Sequence, residues 1–452
     1  MRKLDGYALK YLIFSIVLLI SFISMAFTNN FIFGQDSLTY HLPVARYLAE
    51  HNKLPEYVPY DLYYHKMAKP PLLYILTYPF FKLFGPSEYV AEIIPFLSII
   101  IFLYVMYKWI KEEGISVEIF VFTAFLSFFS LDLMLWYYQG CLVLLFTTLT
   151  FYSLHKYFKY DKSNYFYLAL AFAFLSAYSK TTGLIVFGAV VILSLMKKNY
   201  NFILISLVLS LPLLTHYFLT DYGKEQPVKV FQSLMRLNNP LFNIGTYYHP
   251  EYWLGFILIV PFVVLKLMKS YDLKTWIIFI LLLIPSITIT VDPRYLSLFS
   301  GYAIYISSKH LQYFIKSKRI RTLIFYGILI VILLNSFFNF LNPQFKKDAE
   351  LHNLKKACLF LNEEYGSDKF VVGDADFGIG WWCRYNFTRF NDYFKYNKTY
   401  PVPDFILDSW WDFCNKFQMD ECETKYIEYF NKTYELKLIW TDGKNRIYKL
   451  FK

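Results

Sequence analysis

Ligand spacing for a metal is missing from this chain. His41 and His65 sit in its first long loop with no partners at the separations a metal site uses, so no cofactor is expected from them. No inverted repeat is visible, and most charges lie at the ends of hydrophobic runs. Both absences count against a transporter. The first run, 11–28, has no charge and no small-x-small cleavage site. It follows Arg2, Lys3 and Lys10 and ends at Phe27-Thr28-Asn29-Asn30, so it reads as a retained anchor helix and not as a signal peptide. Acidic residues are fewer than basic ones, 34 against 45, which leaves a formal charge of +11. That excess falls mainly between hydrophobic runs, where membrane topology places it, and so does not argue for nucleic acid. Glycines are few, only 17, a scarcity that fits codon bias and carries no functional message.

What the chain does have is apolar length. Its 452 residues are 56% hydrophobic and 22% aromatic, with a mean hydropathy of +0.34. Soluble domains run near 45–50% apolar, so this composition lies on the membrane side. Runs near 11–28, 88–107, 117–131, 138–154, 165–178, 182–196, 200–219, 252–268, 275–291, 295–308 and 322–340 read as membrane helices. The run 72–84 is apolar but short, and reads as an interfacial or re-entrant piece. One alternating set of loops holds 18 basic residues and the other holds 10. The richer set is expected to be cytoplasmic. The loop after the first helix, the loop 220–251, the Asp292-Pro293-Arg294-Tyr295 turn and everything after residue 341 are then external. The expected whole is an all-α polytopic membrane domain over 1–341, with an external loop at 29–71, and a small external α/β domain over 342–452.

Cysteine supports that division. Four of the five, Cys358, Cys383, Cys414 and Cys422, fall in the last stretch, as suits an oxidising space. Asn386, Asn397 and Asn431 open N-x-T triplets in the same stretch. Within it, the segment ending at Gly366 has helical apolar spacing, KFVVGD reads as a strand, and ELKLIW and RIYKLF flank a hairpin turn at 442–445.

The residues that suggest chemistry lie in the external loops. Asp36 precedes a segment in which Leu38, Leu42, Ala45 and Leu48 share a helical face, which suits a helix lying along the interface. Lys69-Pro70-Pro71 stands just before an apolar run, and its prolines bar a helix upstream, so the lysine is held at the membrane edge. Lys180 in AYSKTTGLIV and Arg294 in VDPRYLSL stand at the edges of other spans. A phosphate leaving group needs such cations, because negative charge builds on it as its bond to a sugar breaks. Tyr40, Tyr63, Tyr64 and Tyr74 offer rings to stack on a sugar or to line a lipid groove.

The segment GQDSLTYHLPVARYLAEHN…KMAKPPLLYILTYPFFKLFGPSEYVAEIIP resembles the first external loop and second helix of GT-C glycosyltransferases. Its closest resemblance is to the branch of dolichyl-phosphate-mannose–protein mannosyltransferases and bacterial lipid A aminoarabinose transferases. YSKTTGLI is similar to that branch's Lys-x-x-Gly segment, and DPRYLSLFSGYAIYI to its Arg-Tyr-Leu helix start. The resemblance implies an enzyme moving a sugar from a polyprenyl phosphate to an acceptor hydroxyl on protein, glycan or lipid, on the external face, with inversion. It puts Asp36 at the reaction centre and Lys69 near the donor phosphate, with Lys180 and Arg294 as further phosphate contacts. Tyr40, His41, Tyr63, Tyr64, His65 and Tyr295 are the expected substrate and lipid contacts. Asp132 is the one acid in SLDLMLWYYQGC, where that branch carries its second. Glu88 and Glu92 read as structural members of the second-helix segment.

Ser409–Asn415, SWWDFCN, resembles a segment of oligosaccharyltransferase catalytic subunits, a GT-C branch that uses a divalent cation. That branch is the nearest alternative. A lipid-linked sugar flippase or transporter and a non-catalytic scaffold are the others.

Overall fold

The computed structural model describes residues 6–28, 37–60, 69–126, 139–219, 300–341, 348–366, 368–373, 379–389, 393–394, 400–408, 422–441 and 446–451. The chain divides into two compact units. One comprises Met1–Met25, Ala68–Leu76 and Glu92–Phe340; the other comprises Ala26–Met67, Thr77–Ala91 and Leu341–Lys452.

The helices in chain order are α1 (Gly6–Thr28), α2 (Leu42–His51), α3 (Leu72–Phe84), α4 (Glu88–Ala91), α5 (Ile93–Glu112), α6 (Val117–Leu126) and α7 (Gln139–Tyr160). They continue with α8 (Ser163–Ser179), α9 (Gly183–Met196), α10 (Tyr200–Leu219), α11 (Ser300–Phe314), α12 (Lys318–Leu341), α13 (Asp348–Tyr365) and α14 (Cys422–Thr433). Helices thus stand at each expected span that falls among the described residues, and 252–268 and 275–291 lie outside them. Among the described residues, Gly6–Ser24 and Glu88–Glu112 are long and apolar enough to cross a membrane. The short run forms α3, which has 13 residues, about 20 Å at 1.5 Å per residue, against a bilayer core of about 30 Å.

In the first unit, α7 and α8 are joined by two residues, and such short loops make antiparallel neighbours. Two contacts fix their register: the Thr147 and Ser176 hydroxyls are 3.0 Å apart, and the Tyr157 and Phe166 rings are 5.0 Å apart. α5 runs parallel to α7. The Ser98 hydroxyl meets the Cys141 thiol, and eleven residues on in both helices Trp109 packs on Tyr152 with ring centroids 5.6 Å apart. α11 lies against α5, α6 and α7. Its Tyr305 stacks on Trp109 at 4.2 Å, its Ser308 hydroxyl meets Thr123 at 2.5 Å, and its Tyr302 stacks on Phe151 at 4.7 Å. Tyr11 of α1 donates to the Leu103 carbonyl of α5 at 2.6 Å. The buried hydroxyls mostly return their hydrogen bonds to carbonyls one turn back, as at Ser98, Thr148 and Ser194. This satisfies them where no water is at hand.

The second unit holds the sheet. Its strands are β1 (Phe370–Gly373), β2 (Asn386–Arg389), β3 (Phe405–Asp408), β4 (Glu435–Thr441) and β5 (Arg446–Phe451), in the order β2-β1-β3-β5-β4. β2, β1 and β3 are parallel, while β5 runs antiparallel to β3 and to β4. The strand expected at KFVVGD is β1, and the expected hairpin is β4–β5. All four residues of β1 and of β3 are buried, as parallel strands covered on both faces require. Phe370, Val372, Tyr393, Ile406 and Phe430 form the core. α13 stops at Gly366, whose φ of +75° places it in the left-handed region that favours glycine after a helix end. Cys358 of α13 is bonded to Cys383.

Candidate active site

Of the residues singled out in the sequence, Asp36, Tyr63, Tyr64, His65, Asp132, Arg294 and Tyr295 lie outside the described residues. Lys69 and Lys180 belong to the helical unit, and Tyr40 and His41 belong to the unit with the sheet.

The Lys-Pro-Pro step is anchored by one buried contact. Gln139, the first residue of α7, donates from Nε2 to the Pro70 carbonyl at 2.8 Å. Pro70 and Pro71 are buried, and Lys69 beside them is half-buried. The Pro71 carbonyl is taken by the Ile75 N–H at 3.0 Å in the first turn of α3, and the Gln139 amide takes the Pro70 carbonyl just outside it, so the step is held from both sides.

Lys180 is held differently. It is extended, with φ −157° and ψ 147°, and its N–H still donates to the Ser176 carbonyl at 3.2 Å. Its own carbonyl accepts from Gly183 N–H at 2.8 Å. The chain therefore leaves α8 and enters α9 within three residues. Gly183 makes this possible, because a Cβ there would overlap the Ser176 carbonyl. This is the physical content of the Lys-x-x-Gly pattern: the glycine allows the close approach that fixes the lysine at the tip of the turn.

The α7–α8 register puts the Lys180 turn at the Gln139 end of α7, and Gln139 holds the Lys-Pro-Pro step. Both lysines therefore sit at one end of the helical unit. The other end of α7 carries a separate charge cluster. Glu113 accepts from Lys309 at 2.6 Å, from Lys159 at 2.7 Å and from Tyr305 at 3.3 Å, and lies 3.0 Å from His155 Nε2. Burial pushes the Glu113 carboxyl up, but the bonds from Lys159 and Lys309 and the charges of His155 and Lys309 outweigh it and bring it to about 2.

Glu88 and Glu92, similar in the sequence, part ways. Glu88, in the sheet-bearing unit, accepts at Oε1 from the Trp382 indole at 2.8 Å and from Lys355 at 3.0 Å. Glu92, in the helical unit, is 7% exposed and its Oε2 has no hydrogen-bond partner. Its position follows from the α5–α7 register, which places it at the same end as Gln139 and the Lys-Pro-Pro step. The sequence carried one sign of this, an ionisable residue at the start of an apolar helix.

In the sheet-bearing unit, a π-helical turn, Ser37–His41, leads into α2. Leu38, Leu42, Ala45 and Leu48 are all buried, so the face read from the sequence is covered by protein. His41 is fully buried, and the Tyr40 ring meets its edge at 5.5 Å. Arg46, one turn after Leu42, lies with its guanidinium 3.7 Å over the Trp381 ring and donates to the Trp381 carbonyl at 2.7 Å. Burial and then the Arg384 charge lower Arg46 to about 10. Neither Arg46 nor the Trp381-Trp382 pair stood out in a sequence so rich in aromatics. Among the described residues no group of three or more His, Cys, Asp or Glu is placed to hold a metal ion.

The fold is shared with a solved structure, and the likeness runs over nearly the whole chain. One such structure is ArnT from Cupriavidus metallidurans. The chain superposes on its apo crystal structure with a TM-score of 0.60 at 12% identity. On the crystal structure of ArnT bound to undecaprenyl phosphate the TM-score is 0.59 at 11% identity. Each comparison covers 97% of both chains. At these identities the likeness is one of fold. No protein-family model matches the chain, and no curated protein does.

Proposed function

We propose that this chain is an integral-membrane glycosyltransferase that moves a sugar from a polyprenyl phosphate to an acceptor hydroxyl at the external membrane face. The observation that carries the reading is the placement of Lys69 and Lys180 at one end of a helical unit whose fold is shared with a protein crystallised with undecaprenyl phosphate. The two lysines are anchored by unrelated devices, the Gln139 amide and the Gly183 close approach. Cations fixed before the substrate arrives do not have to be reorganised as charge develops on the leaving phosphate.

In this reading Asp36 takes the proton from the acceptor hydroxyl as its oxygen attacks the anomeric carbon, a contribution of about 10²–10⁴-fold. The bond from that carbon to the phosphate oxygen breaks, its electron pair stays on the polyprenyl phosphate, and Lys69, Lys180 and Arg294 stabilise the product. Attack opposite the phosphate inverts the anomeric centre. Asp132 is the second acid of the reading, and Tyr40, His41, Tyr63, Tyr64, His65 and Tyr295 are its substrate and lipid contacts. The acceptor hydroxyl belongs to protein, glycan or lipid.

The test is transfer of labelled sugar from polyprenyl phosphate by the purified protein in nanodiscs. Lys69→Ala and Lys180→Ala should each lower turnover about 10-fold or more, in line with removal of one charge-assisted bond. Asp36→Asn should lower it further. Undiminished transfer by all three variants would overturn the reading. Movement of the lipid across the bilayer with no transfer would favour a flippase. Loss of transfer in EDTA would favour the oligosaccharyltransferase-like alternative, since lysines need no divalent ion.

A further inference from the structure

Glu92 is a carboxyl group the mechanism leaves unused. It is 7% exposed, its Oε2 has no partner, and no Lys or Arg among the described residues pairs with it. A charged or hydrogen-bonding group left so inside a bundle of apolar helices is costly, and such residues mark paths taken by substrates. Structural carboxylates of this chain look different. Glu88 takes two hydrogen bonds at one oxygen, and Glu113 pairs with Lys159 and Lys309 and lies beside His155.

Its location narrows what it meets. Glu92 precedes α5 on the end of the helical unit that holds the Lys-Pro-Pro step and the Lys180 turn, as the pairs Ser98–Cys141 and Trp109–Tyr152 require. Resting on the polyprenyl-phosphate reading, that end receives a phosphate with a sugar attached. The lysines answer the charge of the phosphate, and a buried carboxyl with no cation beside it adds nothing to that. The sugar is the part of the donor that brings hydroxyl donors and no negative charge. We propose that Glu92 binds the sugar of the donor, its Oε2 accepting a hydrogen bond from a sugar hydroxyl, and so takes part in choosing which sugar is transferred.

The experiment compares two probes on the full-length protein in nanodiscs. One is bare polyprenyl phosphate; the other is the same lipid carrying mannose, glucose or aminoarabinose in turn. Glu92→Met removes the acceptor and keeps the volume. It should weaken the best sugar-bearing lipid by about 3- to 10-fold, the worth of an ordinary hydrogen bond. Bare polyprenyl phosphate should bind within about twofold of wild type. Glu92→Gln keeps a neutral acceptor, should give an intermediate loss, and serves if the Met variant does not fold. Equal loss for bare and sugar-bearing lipid would mark a structural role and overturn the proposal. So would unchanged binding of both. Bare-lipid binding that Lys69→Ala abolishes is the control for the underlying function. If wild type binds neither lipid, both ideas fall; if the control holds while Glu92 does not discriminate, only this one does.

Discussion

The indole N–H of Trp382 donates to Glu88 Oε1 at 2.8 Å, across 294 positions of sequence. The same oxygen takes Lys355 Nζ at 3.0 Å. Trp382 stands in the segment Ile379–Cys383, and its neighbours there do similar work. Trp381 carries Arg46 and stacks against Phe81 at 6.3 Å, and Cys383 is bonded to Cys358. Gly380 lies against Tyr60 so closely that a Cβ would come within 2.9 Å of the tyrosine's Cβ. These five residues thus reach Arg46, Tyr60, Phe81, Glu88 and Cys358 within the sheet-bearing unit.

The first prediction follows from that oxygen. Glu88→Ala leaves a buried indole N–H and an ammonium without their acceptor, and an orphaned buried donor costs about 1–3 kcal/mol. Trp382→Phe removes the donor and leaves Lys355 in place. The expected order of thermal midpoints in detergent is wild type, then Trp382→Phe, then Glu88→Ala. A Glu88→Ala midpoint equal to that of wild type would show the bond to be inert.

The disulfide gives the second. Cys358 and Cys383 are 25 residues apart, and closing a loop of that size constrains the unfolded chain by about 3 kcal/mol in the entropic account. Replacing both cysteines by serine, or adding reductant, should lower the midpoint of the sheet-bearing unit and leave the α7–α8 contacts of the other unit intact. Cysteine-specific labelling after denaturation, with and without reductant, checks that the bond is present.

These elements also show how far the sequence could be read. Apolar runs between basic loops sufficed for α1, α5 and α7 to α10, because length and hydropathy alone mark such segments. The face Leu38–Leu42–Ala45–Leu48 was legible from period alone, though what covers it was not: the buried neighbours are protein, and a helix on the membrane interface was expected. β1 and the β4–β5 hairpin are local patterns and were readable. β2 and β3 pair with β1 in parallel across long connections, and no local pattern encodes such pairing. The sites split the same way. Lys69 and Lys180 were visible as cations at the ends of runs. Glu92 and Glu88 looked alike, because only the fold decides that one meets Trp382 and Lys355 while the other keeps an oxygen, Oε2, without a hydrogen-bond partner.

A third prediction concerns pH. The Glu113 carboxyl lies at about 2, below its ordinary 4.5, because the cations at Lys159, Lys309 and His155 outweigh its burial. Its folded-state value is depressed, so its contribution to stability is fully present above about pH 4.5 and is lost as pH falls toward about 2. Midpoints of wild type and Glu113→Gln should therefore differ most near neutral pH and converge in acid. A constant difference down to pH 2 would contradict the cluster. Transfer activity at neutral pH should change less than stability does, since this cluster lies at the end of the helices away from Lys69.

Gly183 offers the sharpest test of how the site is built. A Cβ there overlaps the Ser176 carbonyl, backbone against backbone, so Gly183→Ala cannot be absorbed by a side-chain rotation. Either α9 moves away from α8 or the Lys180 turn reopens. Overpacking of this kind costs about 1–3 kcal/mol. Both outcomes displace Lys180 from the end it shares with the Lys-Pro-Pro step. Gly183→Ala should therefore lower the affinity for bare polyprenyl phosphate about as much as Lys180→Ala does, although it removes no charge. Combining the two should add little, because a lysine already displaced has little left to lose. The measurement is phosphate-lipid binding by the single and double variants, with a Gly188→Ala control at a position where nothing lies within 4 Å of the added methyl. Full additivity would separate the turn from the lysine, and the close approach at Gly183 would then serve packing alone.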